Sequence, residues 1–190
     1  MKLKHKNLLK MSFKEIKKNG KQLAVLNYEK IYKVENLKKN NKKEIAFIGR
    51  SNVGKSSLIN TILNHKISST SKNPGRTRGI GFIELQSINL IDLPGYGYSK
   101  VSKGRQQFWS ELIDEYIKSK RLNKIFILID SRKGIQQEDQ EAADYFQCDF
   151  EFLFTKCDKI ENQNLQHESY VSIKTGKNIE NLRKKIINLI

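Results

Sequence analysis

The first chemically informative feature of the chain is a glycine-rich loop that carries a lysine and two serines. Residues 49–57 read Gly-Arg-Ser-Asn-Val-Gly-Lys-Ser-Ser, the pattern G-x-x-x-x-G-K-S, between an apolar segment and a segment of helical period. The glycines allow successive backbone N–H groups to turn inward around a phosphate, and the positive end of the following helix offsets its charge. Lys55 would reach the β- and γ-phosphates, and the Ser56 hydroxyl would ligate Mg²⁺. An ordinary glycine turn needs neither side chain, so the pattern predicts a nucleoside triphosphate site.

A carboxylate follows this loop at a characteristic distance. Asp92-Leu93-Pro94-Gly95 has the pattern D-x-x-G and begins 37 residues after Lys55, at the end of a second apolar segment. The Asp92 carboxylate could hold a water bound to Mg²⁺, and the Gly95 N–H could sense the γ-phosphate. D-x-x-G alone is common in proteins, but after a phosphate loop it indicates a nucleotide-dependent switch.

A third pattern could select the base. Thr155-Lys156-Cys157-Asp158 reads T-K-x-D and follows the apolar segment Phe150–Phe154. The Asp158 carboxylate can accept hydrogen bonds from guanine N1–H and its exocyclic amino group. Adenine has no N1–H and would leave that acceptor unpaired, at a cost of about 1–3 kcal/mol. The Lys156 stem can pack over the base plane, and a backbone N–H within Ser172-Ile173-Lys174 could reach guanine O6. The alternative is a polar strand end.

The elements that must position these loops alternate between strand and helix. Every position from Ile125 to Ile129 is apolar, as in a strand covered on both faces. This alternation predicts an α/β fold in which helices flank a mostly parallel central sheet. The predicted strands are Glu44–Gly49, Ile80–Leu85, Ile88–Leu93, Lys124–Asp130, Phe150–Thr155 and Tyr170–Ile173, and the predicted helices are Ser57–Leu63, Phe108–Tyr116, Glu138–Tyr145 and Ile179–Leu189.

Charge divides the chain into two parts. The 190 residues carry a net charge of +16, from 36 Lys and Arg against 20 Asp and Glu. Residues 1–43 hold 14 lysines and three glutamates, a net charge of +11, whereas residues 44–190 carry only +5. We therefore predict a basic N-terminal extension, 1–43, and an α/β domain, 44–190. The excess either is a solvated lysine-rich surface or attracts nucleic acid or an anionic membrane.

Composition also bears on location. The longest uninterrupted apolar run, Ile125–Ile129, is far shorter than the ~18 residues that a membrane-spanning helix needs, so no transmembrane segment is predicted. The two cysteines, Cys148 and Cys157, are too few for a disulfide framework and lack the paired spacing of a zinc site. These features favour a reducing, cytoplasmic setting.

Four motifs together resemble a known family. GRSNVGKSSLIN at 49–60, SKNPGRTRG at 71–79, DLPGYGYSKVSK at 92–103 and TKCD at 155–158 are similar to the EngB/YsxC (YihA) type of ribosome-biogenesis GTP-binding proteins, in the TRAFAC class of P-loop GTPases. The resemblance covers residues 44–190. It implies a Ras-like fold, binding of GTP or GDP with Mg²⁺, and a GTPase switch that acts late in assembly of the large ribosomal subunit. It also implies a role in normal cell division and septation. We separately expect a monomer.

The resemblance assigns roles residue by residue. Thr77 would be the switch threonine that completes Mg²⁺ coordination when GTP is bound. Ser56, Thr77 and, through water, Asp92 would hold Mg²⁺, while Lys55, Thr77 and Gly95 would serve hydrolysis. The full nucleotide-binding set is Gly49, Arg50, Ser51, Asn52, Val53, Gly54, Lys55, Ser56, Ser57, Gly75, Arg76, Thr77, Arg78, Gly79, Asp92, Leu93, Pro94, Gly95, Thr155, Lys156, Cys157, Asp158, Ser172, Ile173 and Lys174.

The residue after D-x-x-G bears on the rate of hydrolysis. Many GTPases place a glutamine there to orient the attacking water, but this chain has Tyr96, which carries no carboxamide. Tyr96 either packs against the protein or leaves a site that something else completes. Asn52 matches a position that helps to ligate a monovalent cation in potassium-stimulated relatives. We therefore expect slow intrinsic hydrolysis, stimulated by K⁺ or by a ribosomal partner.

Two further functions stay open on the sequence. The chain could be a basic RNA-binding module whose nucleotide site is degenerate, or a P-loop enzyme for adenine nucleotides. The chain also departs from the family, since only 13 residues separate Asp158 from Ser172 where relatives have a longer helical stretch. That helix is predicted to be shortened or lost.

Overall fold

A single six-stranded sheet organises the part of the chain that the structure describes. This computed structural model describes residues 23–67, 79–96, 103–160 and 169–189, with the backbone alone for residues 103–110. The strand order is β1-β3-β4-β2-β5-β6. The strands are β1 (Val25–Ile31), β2 (Lys43–Gly49), β3 (Ile80–Leu85), β4 (Ile88–Asp92), β5 (Leu122–Asp130) and β6 (Asp149–Thr155). The helices are α1 (Lys55–Leu63), α2 (Lys103–Lys118), α3 (Gln137–Phe146) and α4 (Ile179–Asn188).

The centre of the sheet is parallel and buried on both faces. β2 pairs in parallel with β4 on one side and with β5 on the other, and β5 pairs in parallel with β6. One face packs against α1 and α4, through residues such as Leu58 and Ile186, and the other against α2 and α3, through Tyr116 and Phe146. Helices on both faces explain why β5 is apolar throughout its centre. The predicted α/β fold with a mostly parallel sheet is confirmed.

The sheet begins before the boundary that the charge count places at residue 44. β1 pairs antiparallel with β3, from Ile31 opposite Ile80 to Val25 opposite Leu85. Leu23, Ile31 and Leu37 are all buried in the core. The described part of the segment 23–43 therefore belongs to the packed unit despite its lysines, because an edge strand needs few buried side chains.

The last predicted strand does not form in the structure. Tyr170–Ile173 forms only an isolated bridge, between Tyr170 and Phe154, beside the edge strand β6. The Val171 N–H donates to the Phe154 carbonyl at 2.7 Å, but Ser172 turns away and its N–H donates to the Lys177 carbonyl at 3.1 Å. The predicted loss of a helix before Ser172 concerns residues 161–168, which lie outside the described residues.

The described ranges hold neither a membrane-spanning helix nor a ready-made metal cluster. No helix there has the length and apolar character to cross a membrane. Within those ranges, no group of three or more His, Cys, Asp or Glu side chains has the arrangement of a metal site. Cys148 and Cys157 are both free thiols.

The packing of β1 can be tested with two substitutions in the same strand. We expect Ile31→Ala to lower the free energy of unfolding by about 2–4 kcal/mol, because Ile31 is 3% exposed and its truncation leaves a cavity. Leu26→Ala is the matched control, since Leu26 is 53% exposed, and it should change stability by less than about 0.5 kcal/mol. Urea unfolding measures both. Equal small effects would show that β1 is not part of the core.

Candidate nucleotide-binding site

The loop between β2 and α1 has the backbone shape that a phosphate site needs. Gly54 adopts a left-handed conformation, with φ of 104°, and precedes the first residue of α1. No side-chain hydrogen bond caps that helix, and its first backbone bond runs from the Leu58 N–H to the Gly54 carbonyl at 2.8 Å. The N–H groups of the first turn therefore lie ahead of the helical ladder, where the helix dipole favours an anion.

Two chain segments meet closely behind this loop. A Cβ on Gly95 would lie 2.7 Å from the Gly49 carbonyl oxygen, which is too close for a side chain. The Leu93 N–H donates to the Phe47 carbonyl at 3.1 Å, so the D-x-x-G segment continues along β2. Glycine at 95 is thus required for the phosphate loop and the D-x-x-G segment to come together.

A buried ion pair joins the two segments. The Lys55 ammonium contacts the Asp92 carboxylate, and the two residues are 9% and 1% exposed. The register of β2 with β4, which places Phe47 opposite Asp92, brings this carboxylate to the start of α1. An ammonium, a buried carboxylate and the neighbouring Ser56 hydroxyl form a donor set that fits a phosphate with Mg²⁺, which prefers oxygen ligands.

The T-K-x-D segment is tied to the phosphate loop by two side chains. The Thr155 hydroxyl donates to the Val53 carbonyl at 2.8 Å and contacts the Ile129 carbonyl at 3.1 Å. The Lys156 ammonium donates to the Asn52 carbonyl at 2.7 Å. These contacts fix the distance between the loop predicted to hold phosphates and the loop predicted to select the base.

Asp158 and Ser172 lie together although few residues separate them. The Ser172 hydroxyl donates to Asp158 Oδ1 at 2.6 Å and itself accepts from the Thr175 N–H at 3.2 Å. Ser172 is fully buried, whereas Asp158 is exposed. The hydrogen bond from Ser172 holds the pKa of Asp158 below its usual value, despite some opposing desolvation. Asp158 is therefore an ionised, oriented acceptor at neutral pH.

Sequence reasoning missed Asp130 as part of this site. Arg132 and Lys156 donate to its carboxylate at 2.6 and 2.8 Å, and the Arg132 bond holds the pKa of Asp130 well below its usual range. Asp130 thereby positions the Lys156 ammonium beside Asn52. The position of Asp130 at the end of β5 could have predicted its place in the site, because the carboxyl ends of parallel strands meet at one end of the sheet.

Tyr28 was also missed, because β1 was not predicted. A Cβ on Gly81 would lie 2.9 Å from the Asp92 Cβ and 3.5 Å from the Tyr28 ring. Gly81 therefore leaves room for both side chains. Burial and the Asp92 charge raise the pKa of Tyr28 to about 12, so the phenol stays protonated beside the buried carboxylate.

Part of the predicted site lies outside the described residues. This applies to Gly75, Arg76, Thr77 and Arg78. Within the described residues, contacts join the phosphate loop to Asp92, Gly95, Thr155 and Lys156. The Ile173 side chain lies beside Gly54, 3.8 Å from the position that a Cβ there would take. The ligand roles of these residues stay predictions.

Comparison with known proteins places the chain in one family. Residues 44–156, more than half of the chain, match the family model described as 50S ribosome-binding GTPase. The chain is 44% identical over 138 residues to the probable GTP-binding protein EngB of Rickettsia bellii, and this match covers 68% of the chain and 65% of the relative. It is 42% identical over 139 residues to the corresponding protein of Fusobacterium nucleatum, covering 70% and 71%. The chain thus spans slightly less than two thirds of the Rickettsia relative.

A solved structure agrees with the sequence relatives. The crystal structure of a probable GTP-binding protein EngB superposes with a TM-score of 0.59 at 28% identity. The match covers 76% of this chain and 97% of that one. The architecture is therefore Ras-like.

The Asp158–Ser172 contact predicts a specific decrease in affinity. We expect Ser172→Ala to weaken binding of GDP and GTP by about 5- to 20-fold, because Asp158 no longer has the hydroxyl that orients it. A carboxyl with a lowered pKa stays ionised as pH falls, so the variant, whose Asp158 pKa returns towards its ordinary value, should lose affinity at a higher pH than the wild type, between about pH 5 and about pH 3. Nucleotide titrations across that range measure both effects.

Thr175→Ala in the same turn is the matched control. In the described part of the chain, the Thr175 hydroxyl accepts a long bond, from the Lys177 N–H at 3.4 Å. Similar decreases in affinity in the two variants would show that the turn, and not the Ser172 hydroxyl, supports Asp158.

Proposed function

The chain belongs to the EngB family of GTP-binding proteins, and from that premise we propose that it is a slow GTPase that switches between GTP and GDP during assembly of the large ribosomal subunit. The observation that carries the proposal is the oriented Asp158 carboxylate, fixed by Ser172 and linked through Lys156 to the phosphate loop. This arrangement suits guanine at one end and a triphosphate at the other. A cytoplasmic, monomeric protein needed for normal division and septation is the accompanying expectation from the family.

In this proposal, different residues bind the phosphates and Mg²⁺. The N–H groups from Gly49 to Ser57 and the Lys55 ammonium hold the phosphates. Ser56, Thr77 and, through water, Asp92 would hold Mg²⁺, which would neutralise phosphate charge. The Lys55–Asp92 pair seen in the structure would open on binding, because Lys55 would then face a phosphate and Asp92 would face the metal.

Slow intrinsic hydrolysis follows from Tyr96 in this proposal. Its hydroxyl donates to Asp139 at 2.6 Å, so it is engaged with α3 and supplies no carboxamide for a water. K⁺ beside Asn52, or a ribosomal partner, would add the missing positive charge. Turnover that is fast and equal in Na⁺ and K⁺ without ribosomal particles would contradict this part of the proposal.

A ribosomal partner is supported by the family description and by charge. The matching family is described as 50S ribosome-binding, and the net charge of +16 favours contact with RNA phosphates. Because β1 belongs to the sheet, we propose that residues 1–22, which hold eight lysines and one glutamate, are the basic segment that contacts RNA.

Base selection is tested by Asp158→Asn. We expect GTP affinity to fall by about 100-fold, because the variant lacks the carboxylate that accepts two guanine N–H groups. Xanthosine triphosphate should bind the variant better than GTP does, since the asparagine amide can donate to the 2-oxo group of xanthine. Competition against a fluorescent nucleotide measures both affinities. Asp144→Asn, at an exposed position on α3, is the control.

An unchanged preference for GTP in Asp158→Asn would rule out this guanine site. If the wild-type chain binds no guanine nucleotide in the micromolar range, the proposal fails. A basic RNA-binding module with a degenerate nucleotide site then becomes the better description.

The extension is tested by co-sedimentation with large ribosomal subunits under GTP, GDP or no nucleotide. Deletion of residues 1–22 is expected to weaken binding and to flatten its salt dependence, by about 0.7–0.9 units of log–log slope for each RNA phosphate that the extension neutralises. An unchanged salt slope would show that the N-terminal lysines do not touch RNA.

A further inference from the structure

The residue that follows Gly95 is attached to a helix that has no part in the predicted nucleotide site. Tyr96 donates its hydroxyl to Asp139 Oδ1 at 2.6 Å, and Asp139 lies in the first turn of α3. Asp139 is 1% exposed. Burial and the Asp139 carboxylate raise the pKa of Tyr96 well above its usual value, so the phenol is a permanent donor.

Asp139 is itself held in place by its helix. Its second oxygen, Oδ2, accepts from the Gln136 N–H at 2.8 Å, and this bond closes the capping box at the start of α3. A carboxylate at a helix N-terminus is favoured by the helix dipole. Both Asp139 oxygens are therefore committed, one to the cap and one to Tyr96, and the carboxylate is a fixed anchor.

A second connection runs from the phosphate loop to the same helix turn. Arg50 forms a parallel bridge with Tyr96 through the backbone, and its guanidinium contacts Glu138 at 3.2 Å. Gly95 lies directly before Tyr96 and is pressed against the Gly49 carbonyl. Gly95 thus lies between the phosphate loop on one side and an anchored side chain on the other.

We propose that Asp139 is a positioning residue that acts through Tyr96 to hold the Gly95 N–H where a γ-phosphate would accept from it. The inference rests on the proposed function, because it concerns the difference between GTP and GDP at that site. GDP has no γ-phosphate, so it makes no hydrogen bond with the Gly95 N–H. The contact between Tyr96 and Asp139 therefore contributes to the preference for the triphosphate state and leaves the affinity for GDP unchanged.

The test compares a non-hydrolysable GTP analogue with GDP, each titrated in Mg²⁺ against the full-length chain. Tyr96→Phe removes only the hydroxyl and is expected to weaken the analogue about tenfold while GDP affinity stays within about twofold. Tyr145→Phe removes a hydroxyl from an exposed tyrosine on the same helix as Asp139 and is the matched control. Asp139→Asn keeps an oxygen acceptor for Tyr96 but removes the acceptor of the cap. It should lower the melting temperature and retain most of the preference for the analogue.

Each outcome decides the inference. Equal decreases for both nucleotides, or no decrease, in Tyr96→Phe would show a purely structural contact and overturn it. Tighter binding of the analogue would also overturn it, because the contact would then hold Gly95 away from the γ-phosphate position. If the wild-type chain binds neither nucleotide, the proposed function fails and this inference fails with it. If the wild type binds both nucleotides and Tyr96→Phe leaves the preference for the analogue over GDP unchanged, this inference fails while the proposed function stands.

Discussion

The register of β2 with β4, which brings Lys55 and Asp92 into a buried ion pair, is the constraint on which the arrangement of the site depends. Each charge lies almost entirely out of water, where an unpaired ion would be costly, and removing one partner of such a pair typically destabilises a protein by about 3–5 kcal/mol. The pair forms only if β2 and β4 are parallel neighbours in the observed register. The pairing of β2 with β4 is therefore what brings the lysine of the phosphate loop to the D-x-x-G carboxylate.

The remaining site residues lie at the same end of the sheet, where its parallel strands have their carboxyl ends. Asp92, Asp130 and Thr155 end three parallel strands, and the phosphate loop leaves a fourth at the same end. Side chains at the carboxyl ends of neighbouring strands converge, which is where ligands bind in open α/β sheets. Asp158 is brought to the edge by the buried Ser172 hydroxyl, without a regular final strand.

Local pattern in the sequence predicted some parts of the structure and not others. The phosphate loop, the buried strand β5 and the helix α4 are readable because glycine spacing and apolar periodicity record them directly. β1 was not readable, since most of its residues are only half-buried and lysines surround it. The strand expected at Tyr170–Ile173 was wrong because the pairing depends on how the chain turns at Ser172. Tyr28 lies beside Gly81, and Tyr96 is hydrogen-bonded to Asp139. The residues of each pair are far apart in the chain, so local sequence patterns do not predict these neighbours.

This edge of the sheet is proposed to hold a guanine nucleotide with its phosphates on the loop at Lys55. Calorimetry in Mg²⁺ tests this claim by measuring the affinity of the full-length wild-type chain for GTP and for ATP. We predict GTP binding in the micromolar range or tighter, with ATP weaker by at least about 100-fold, because adenine leaves the Asp158 carboxylate unpaired. Equal affinities for the two nucleotides, or binding of neither, would contradict a guanine site.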